Sequence, residues 1–147
     1  MTILFHNAVN SEFSNAKFHH IGIACKDIER TFHGVRLFLP SEFQYTEVVY
    51  DKIINASLQL ISINNQAYIE LVSGEVVQSF LKKNTKLYHT CFEVPDIEVF
   101  SSVLADRGHV PVTKLTPAKL FDGRLIQFFM TPIGLTEILE SEVRGDS

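Results

Sequence analysis

The chain has 147 residues, and its 46% hydrophobic and 11% aromatic content suffices for one domain with a substantial core. Thirteen Lys and Arg against seventeen Asp and Glu give a net charge of -4 without a basic cluster, which argues against a nucleic-acid partner. No apolar run is long enough to span a membrane, and residues 1–18 lack the pattern of a secretory signal. We therefore expect a cytoplasmic protein that does not bind membranes.

The first half of the chain predicts one helix and four strands. An apolar strand begins at Phe18, and Asp27-Ile28-Glu29 provides an acidic start for a helix through Leu39. The strands that follow are predicted near 44–51, 56–63 and 67–72. Val76, Val77, Phe80 and Leu81 recur at helical spacing and predict a short helix within 73–86.

The second half repeats this order. A strand from Leu87 precedes a helix over Ile97–Arg107, which Gly108 is placed to end, and three further strands are predicted near 110–115, 124–130 and 135–139. We predict an α+β fold of two βαβββ modules in a single domain over 1–147. Module 1 is expected at about 17–73, a linker helix at about 74–86 and module 2 at about 87–142.

Three landmarks align between the two halves in the same order. Aligning residues 18–29 with 87–98 superposes two histidines. Aligning 57–61 with 125–129 superposes two glutamines, and aligning 68–72 with 135–139 superposes two glutamates. The pairs are His20 with His89, Gln59 with Gln127, and Glu70 with Glu137.

The repeated histidines and glutamates predict a metal site. Strand alternation places His20 on one face with Gly22, and His89 on one face with Cys91, as expected for strands that line a cavity. A glutamate in a strand as apolar as residues 68–72 or 135–139 is costly to bury unless it is paired or bound to a cation. Two imidazoles and two carboxylates suit one divalent Mn, Fe, Co, Ni or Zn ion and leave two positions open in a six-coordinate site.

The other histidines and both cysteines receive no chemical role from the sequence. Strand alternation predicts that His19 points away from His20, and His6, His33 and His109 lie in tail, helix or loop contexts without partners. Cys25 and Cys91 lie in apolar strands and show no metal-binding spacing, which indicates buried free thiols.

These motifs resemble the vicinal-oxygen-chelate superfamily, which includes glyoxalase I, methylmalonyl-CoA epimerase, extradiol dioxygenases and bleomycin-binding proteins. Residues 18–24, 68–72, 88–97 and 134–140 carry the resemblance, which is strongest to the epimerase-like and glyoxalase I-like proteins. It implies modules curled into half-barrels around a central metal cavity, with His20, Glu70, His89 and Glu137 as ligands. It also favours a homodimer.

The resemblance implies a metal-dependent isomerase or epimerase that removes a proton next to a carbonyl of an acyl-CoA or other thioester-like small molecule. Glu137, or else Glu70, would leave the metal to act as the base, since Gln59 stands where some epimerases have a catalytic glutamate. Gln59 and Gln127 either orient substrate oxygens or face solvent. Arg124 either meets a substrate carboxylate or phosphate or is a solvated turn residue.

Three other functions remain open at this point. Glu70 matches the glyoxalase I pattern and favours a lactoylglutathione lyase, although no glutathione site is evident. The same cavity in a binding or resistance protein would hold a small molecule without turnover. An iron dioxygenase would need only two histidines and one carboxylate, which leaves Glu70 as a surplus ligand.

Overall fold

A computed structural model of the protein describes residues 2–10 and 15–142. Its strands are β1 (Lys17–Ala24), β2 (Gln44–Tyr45), β3 (Val49–Asp51), β4 (Ala56–Ser62), β5 (Tyr68–Gly74), β6 (Leu87–Val94), β7 (Val110–Pro111), β8 (Thr116–Pro117), β9 (Leu125–Thr131) and β10 (Gly134–Glu140). They form one curled, open mixed sheet in the order β2-β4-β5-β1-β6-β10-β9-β7. Strand β3 also pairs with β4, and β8 pairs with β9.

The two halves of the sheet have the same topology. In the first, β1 runs parallel to β5, and β4 pairs antiparallel with β5; in the second, β6 runs parallel to β10, and β9 pairs antiparallel with β10. The antiparallel pair β1–β6 joins the halves. The predicted α+β fold with a curled mixed sheet is thus confirmed. The predicted outer strand at 44–51 is divided into β2 and β3, and the one at 110–115 is reduced to β7, with β8 following at Thr116–Pro117.

The described residues form three α-helices beside the sheet: α1 (Ile28–Val35), α2 (Gln78–Lys82) and α3 (Ile97–Asp106). The carboxylates of Asp27 and Asp96 cap α1 and α3 by accepting backbone N–H groups from three residues further on, at 3.2 Å. Helix α1 is shorter than predicted because the chain tightens into a 3-10 turn over Arg36–Phe38. Gly108, at a φ of +89°, ends α3 as predicted.

Helices α1 and α3 cover the same face of the curled sheet. Ile28 and Phe32 of α1 pack on Ile61 and Leu71, and Ile97 of α3 packs in a matching cluster on the second half of the sheet. The opposite face, here called the inner face, is left for side chains that line a cavity. None of the described helices is long and apolar enough to cross a membrane.

Candidate metal centre

The structure brings the four repeated ligand residues together on the inner face. His20 and His89 lie on the two central strands, and Glu70 and Glu137 lie on the strands that flank them. The Nε2 atoms of the two histidines are 3.1 Å apart. Glu137 Oε1 lies 3.1 Å from each Nε2, and Glu70 Oε1 lies 3.4 Å and 3.5 Å from them. All four side chains are buried.

These distances suit a single metal ion. Two donor atoms about 2.1 Å from one ion are about 3.0 Å apart at right angles and about 3.4 Å apart at tetrahedral angles. The four donor atoms lie within 4.8 Å of one another, and Glu137 Oε1 is buried without a hydrogen-bond partner. An orphaned carboxylate oxygen beside two imidazole nitrogens is the environment that a divalent cation would complete.

The acid–base balance of the cluster also fits cation binding. Burial alone would lower the pKa of His20, but the acidic groups of Cys91, Glu70 and Glu137 outweigh burial and raise this pKa well above its usual value. Burial alone would raise the pKa of Glu137, but the two imidazoles hold it well below its usual range. Without a metal the cluster therefore retains a proton, which a bound cation would displace.

Gly22 provides the space that the His89 ring occupies. The two residues are directly opposite each other on β1 and β6. A Cβ atom added at Gly22 would lie 2.0 Å from Cε1 and 2.7 Å from Nε2 of His89. The absence of a side chain at this position is therefore what allows His89 to reach the cluster.

Two β-bulges place additional rings beside the ligands. On β1, the pairing with β6 skips one residue between Phe18 and His20. On β6, it skips one residue between His89, which pairs with Gly22, and Leu87, which pairs with Ile23. His19 and Tyr88 are the extra residues, and each precedes a ligand histidine. The prediction that His19 points away from His20 is wrong, because strand alternation fails at a bulge.

His19 is the hydrogen-bond partner of a ligand. Its Nδ1 lies 2.8 Å from Nδ1 of His20, and its ring stacks on Tyr68 at 4.6 Å between centroids. Burial, with the positive charges of His20 and Arg124, lowers the pKa of His19 to about 4. A neutral His19 can accept the Nδ1 hydrogen of His20 and so leave His20 Nε2 free for a metal.

An apolar cavity of about 300 Å³ opens beside the ligands. Glu70 and Glu137 form its polar end, and most of its remaining wall is aliphatic or aromatic. The 3-10 turn Lys119–Phe121, which the sequence did not single out, supplies two of the lining side chains and stacks Phe121 on His20 at 5.7 Å between centroids.

A buried carboxylate fixes this turn over the cavity. Asp51 Oδ2 accepts the backbone N–H of Lys119 at 3.1 Å, and Oδ1 accepts that of Ile53 at 3.0 Å. Lys119 Nζ donates to the Tyr50 carbonyl at 3.1 Å. Because Asp51 belongs to the first half of the chain and Lys119 to the second, these bonds fasten the two halves together.

The two glutamines do not reach the cluster. Gln59 is opposite Leu71 and Gln127 is opposite Ile138, both on the helix-covered face. Each amide donates to a threonine carbonyl at 2.9 Å, Gln59 to Thr46 and Gln127 to Thr113. Neither faces solvent: both are buried, and they secure the divided outer strands.

Arg124 is also placed away from the cavity wall. Its Nη1 donates to Glu93 at 3.0 Å and to the Glu140 carbonyl at 3.2 Å, and its guanidinium lies 5.5 Å from the centroid of the Phe121 ring. It lines a separate, polar pocket that includes His19. Here Arg124 supports the turn that covers the metal cluster.

The fold has counterparts among known proteins. Residues 19–128 match the model of the Glyoxalase/Bleomycin resistance protein/Dioxygenase superfamily. The chain belongs to this superfamily. No curated protein matches the chain significantly.

Solved structures of several epimerases share the fold. A methylmalonyl-CoA epimerase from Mycobacterium tuberculosis has a TM-score of 0.74 at 18% identity, with 92% of this chain and 93% of that chain covered. A Streptomyces coelicolor methylmalonyl-CoA epimerase bound to 2-nitronate-propionyl-CoA has a TM-score of 0.71 at 21% identity, with 86% and 98% covered. A hypothetical protein of Bacillus halodurans has a TM-score of 0.71 at 18% identity, with 91% and 100% covered.

Proposed function

We propose that the protein is a metal-dependent isomerase that removes a proton next to the carbonyl of an acyl thioester or a related small molecule. The observation that carries this proposal is the set of two imidazoles and two carboxylates at one end of an apolar cavity. Structural neighbours bound to acyl-CoA ligands support a thioester as the substrate class.

One divalent ion, chosen among Co, Ni, Mn, Zn and Fe, would be held by His20, Glu70, His89 and Glu137. When bound, it would polarise the substrate carbonyl and stabilise negative charge on its oxygen. An ion held by these four residues would keep further positions open for substrate oxygens. The stack of Phe121 on His20 and the apolar wall of the cavity exclude water from that end.

A carboxylate of the cluster would take the proton. The sequence favours Glu137 as the base, but the distances favour Glu70. Its Oε1 lies farther from Nε2 of both histidines, so Glu70 would be held less tightly at the metal. Both residues line the cavity that would hold the reacting carbon. We therefore assign proton transfer to Glu70 and the tighter hold on the metal to Glu137.

Solvent exchange tests this function directly. Co²⁺-loaded protein is incubated in heavy water with a panel of acyl-CoA thioesters, and deuterium uptake next to the carbonyl is measured by mass spectrometry. We expect exchange with at least one thioester, and its loss in Glu70→Gln protein that still holds cobalt. If Glu70→Gln protein still exchanged deuterium, Glu137 would be assigned as the base instead.

A parallel assay with methylglyoxal and glutathione examines the lyase alternative. The cavity favours it less, because no Lys or Arg is among the described residues that line the cavity to meet the glutathione carboxylates. Cobalt binding without exchange on any substrate would instead indicate a small-molecule binding protein. The homodimer and the cytoplasmic location stay predictions from the sequence.

A further inference from the structure

We propose that the part of the substrate that extends from the metal-binding carbonyl into the cavity is uncharged and apolar. This inference rests on the proposed function and specifies the substrate class.

The wall of the cavity is apolar from the ligands outward. Strands on both sides contribute aliphatic and aromatic side chains, among them Leu58, Val72, Ile126, Phe128 and Leu135. The uncharged polar residues of the wall are Tyr88, Thr113 and Thr116. A hydrocarbon group that fills about 300 Å³ would be desolvated by such a wall, which stabilises the bound state.

Charge also opposes an anionic substrate group. Beyond the two ligand carboxylates, which a divalent ion would neutralise, the lining includes a third carboxylate, Asp51, which is 3% exposed. The two cations on the neighbouring turn point elsewhere: Lys119 Nζ bonds to the Tyr50 carbonyl, and Arg124 pairs with Glu93 in the separate polar pocket. A substrate carboxylate that extends into the cavity beyond the reach of the metal would therefore be buried in a space that Asp51 also lines, without a cation.

Two chelators of equal chain length give a direct test: octanohydroxamate, which ends in a methyl group, and the monohydroxamate of suberic acid, which ends in a carboxylate. Both are titrated calorimetrically into Co²⁺-loaded protein at pH 7.5. We expect the carboxylate-ended chelator to bind roughly 10- to 100-fold more weakly, because its terminal charge must be buried unpaired.

A charge introduced into the wall should reverse this preference. Met130 lines the cavity but is 48% exposed, so Met130→Lys can place an ammonium at the rim without burying it. We expect this variant to bind the suberic chelator more tightly and octanohydroxamate less tightly than the wild type does. Ile133→Lys is the matched control, because Ile133 is 65% exposed and lies outside the cavity lining, and it should leave the ratio unchanged.

The cobalt spectrum, recorded before each titration, keeps the two proposals apart. Cobalt binding with equal affinities, or with tighter binding of the suberic chelator to wild type, would overturn the apolar substrate and leave the metal site standing. An unchanged ratio in Met130→Lys would also contradict it. Failure to bind cobalt at all would overturn both proposals.

Discussion

The two modules supply identical pairs of candidate metal ligands but surround them differently. In module 1 the residue before the ligand is His19, which contacts Nδ1 of His20; in module 2 it is Tyr88, and Nδ1 of His89 is buried without a hydrogen-bond partner. The next inner-face position also differs. Gly22 leaves space for the His89 ring, whereas its repeat counterpart Cys91 carries a buried side chain opposite His20.

This comparison shows that a duplicated site can keep its ligands while each half takes a different supporting task. Module 1 contributes the open position and the hydrogen bond that orients a ligand. Module 2 contributes the turn Lys119–Phe121, which covers the site, whereas the corresponding connection in module 1 is the short turn Lys52–Asn55. Because different residues provide these contributions in the two modules, each contribution can be tested by a separate substitution.

The largest effect is expected from Gly22→Ala compared with Cys91→Ala. The new methyl group would meet the His89 ring at 2.0 Å, so the ring must rotate away and a ligand is lost. Metal affinity should fall by more than the roughly 10- to 100-fold typical of losing an outer partner. Cobalt titration followed by absorption measures this change.

Cys91→Ala provides the control at the repeat-equivalent position. It removes a buried thiol that the proposal does not use as a ligand. Because this thiol lies beside His20, cobalt affinity can change modestly, but it should fall far less than in Gly22→Ala. Thermal unfolding of both variants checks that they fold. Equal affinities for cobalt in Gly22→Ala and wild type would refute the packing argument for His89.

The second effect is a difference between the two carboxylates. Glu137 lies closer to both histidines and has a buried oxygen without a hydrogen-bond partner, so Glu137→Gln should weaken cobalt binding more than Glu70→Gln does. The same titration in both variants measures the difference. If Glu70→Gln proved the more damaging change, the division of roles between the two residues would have to be exchanged.

The fold and the clustering of the four candidate ligands were predictable from the sequence because a duplication leaves matched landmarks. Histidines and glutamates at matching positions in apolar strands indicated that the four side chains share one site. The structure places all four within one cluster. The reason is physical: an ionisable group buried in an apolar strand is costly, and a pair of such groups repeated in both halves indicates that they share one partner.

The supporting residues were not predictable by the same reasoning. Bulges break the alternation of strand faces without a sequence signal, so His19 and Tyr88 could not be assigned to the inner face. The glutamines were misleading because they recur like the ligands, yet their recurrence reflects a shared structural bond to Thr46 or Thr113. A residue type repeated in both halves has the same role in each half. Whether that role is to line the cavity or to stabilise the fold depends on the face of the sheet on which the residue lies.

A third, smaller effect is expected at His19. His19→Phe keeps an aromatic ring beside Tyr68 but removes the acceptor for His20, and we expect cobalt affinity to fall by roughly tenfold. His19→Asn should restore much of it, because the amide oxygen can accept the same hydrogen. The cobalt absorption band should shift in His19→Phe and recover in His19→Asn; a pair of variants that behave alike would exclude this hydrogen bond.

The smallest effects should come from the glutamines, where the modules are most alike. Gln59→Leu removes one hydrogen bond and should lower the free energy of unfolding by about 1 kcal/mol. Gln127→Leu should cost roughly 2 kcal/mol, because Gln127 also accepts a hydrogen bond from Ser101 of α3. Exposed Gln66→Leu is the control, and urea denaturation gives all three values. Cobalt and chelator affinities should stay unchanged, since both amides lie on the helix-covered face. A selective loss of chelator binding would instead indicate that the glutamines contribute to substrate binding.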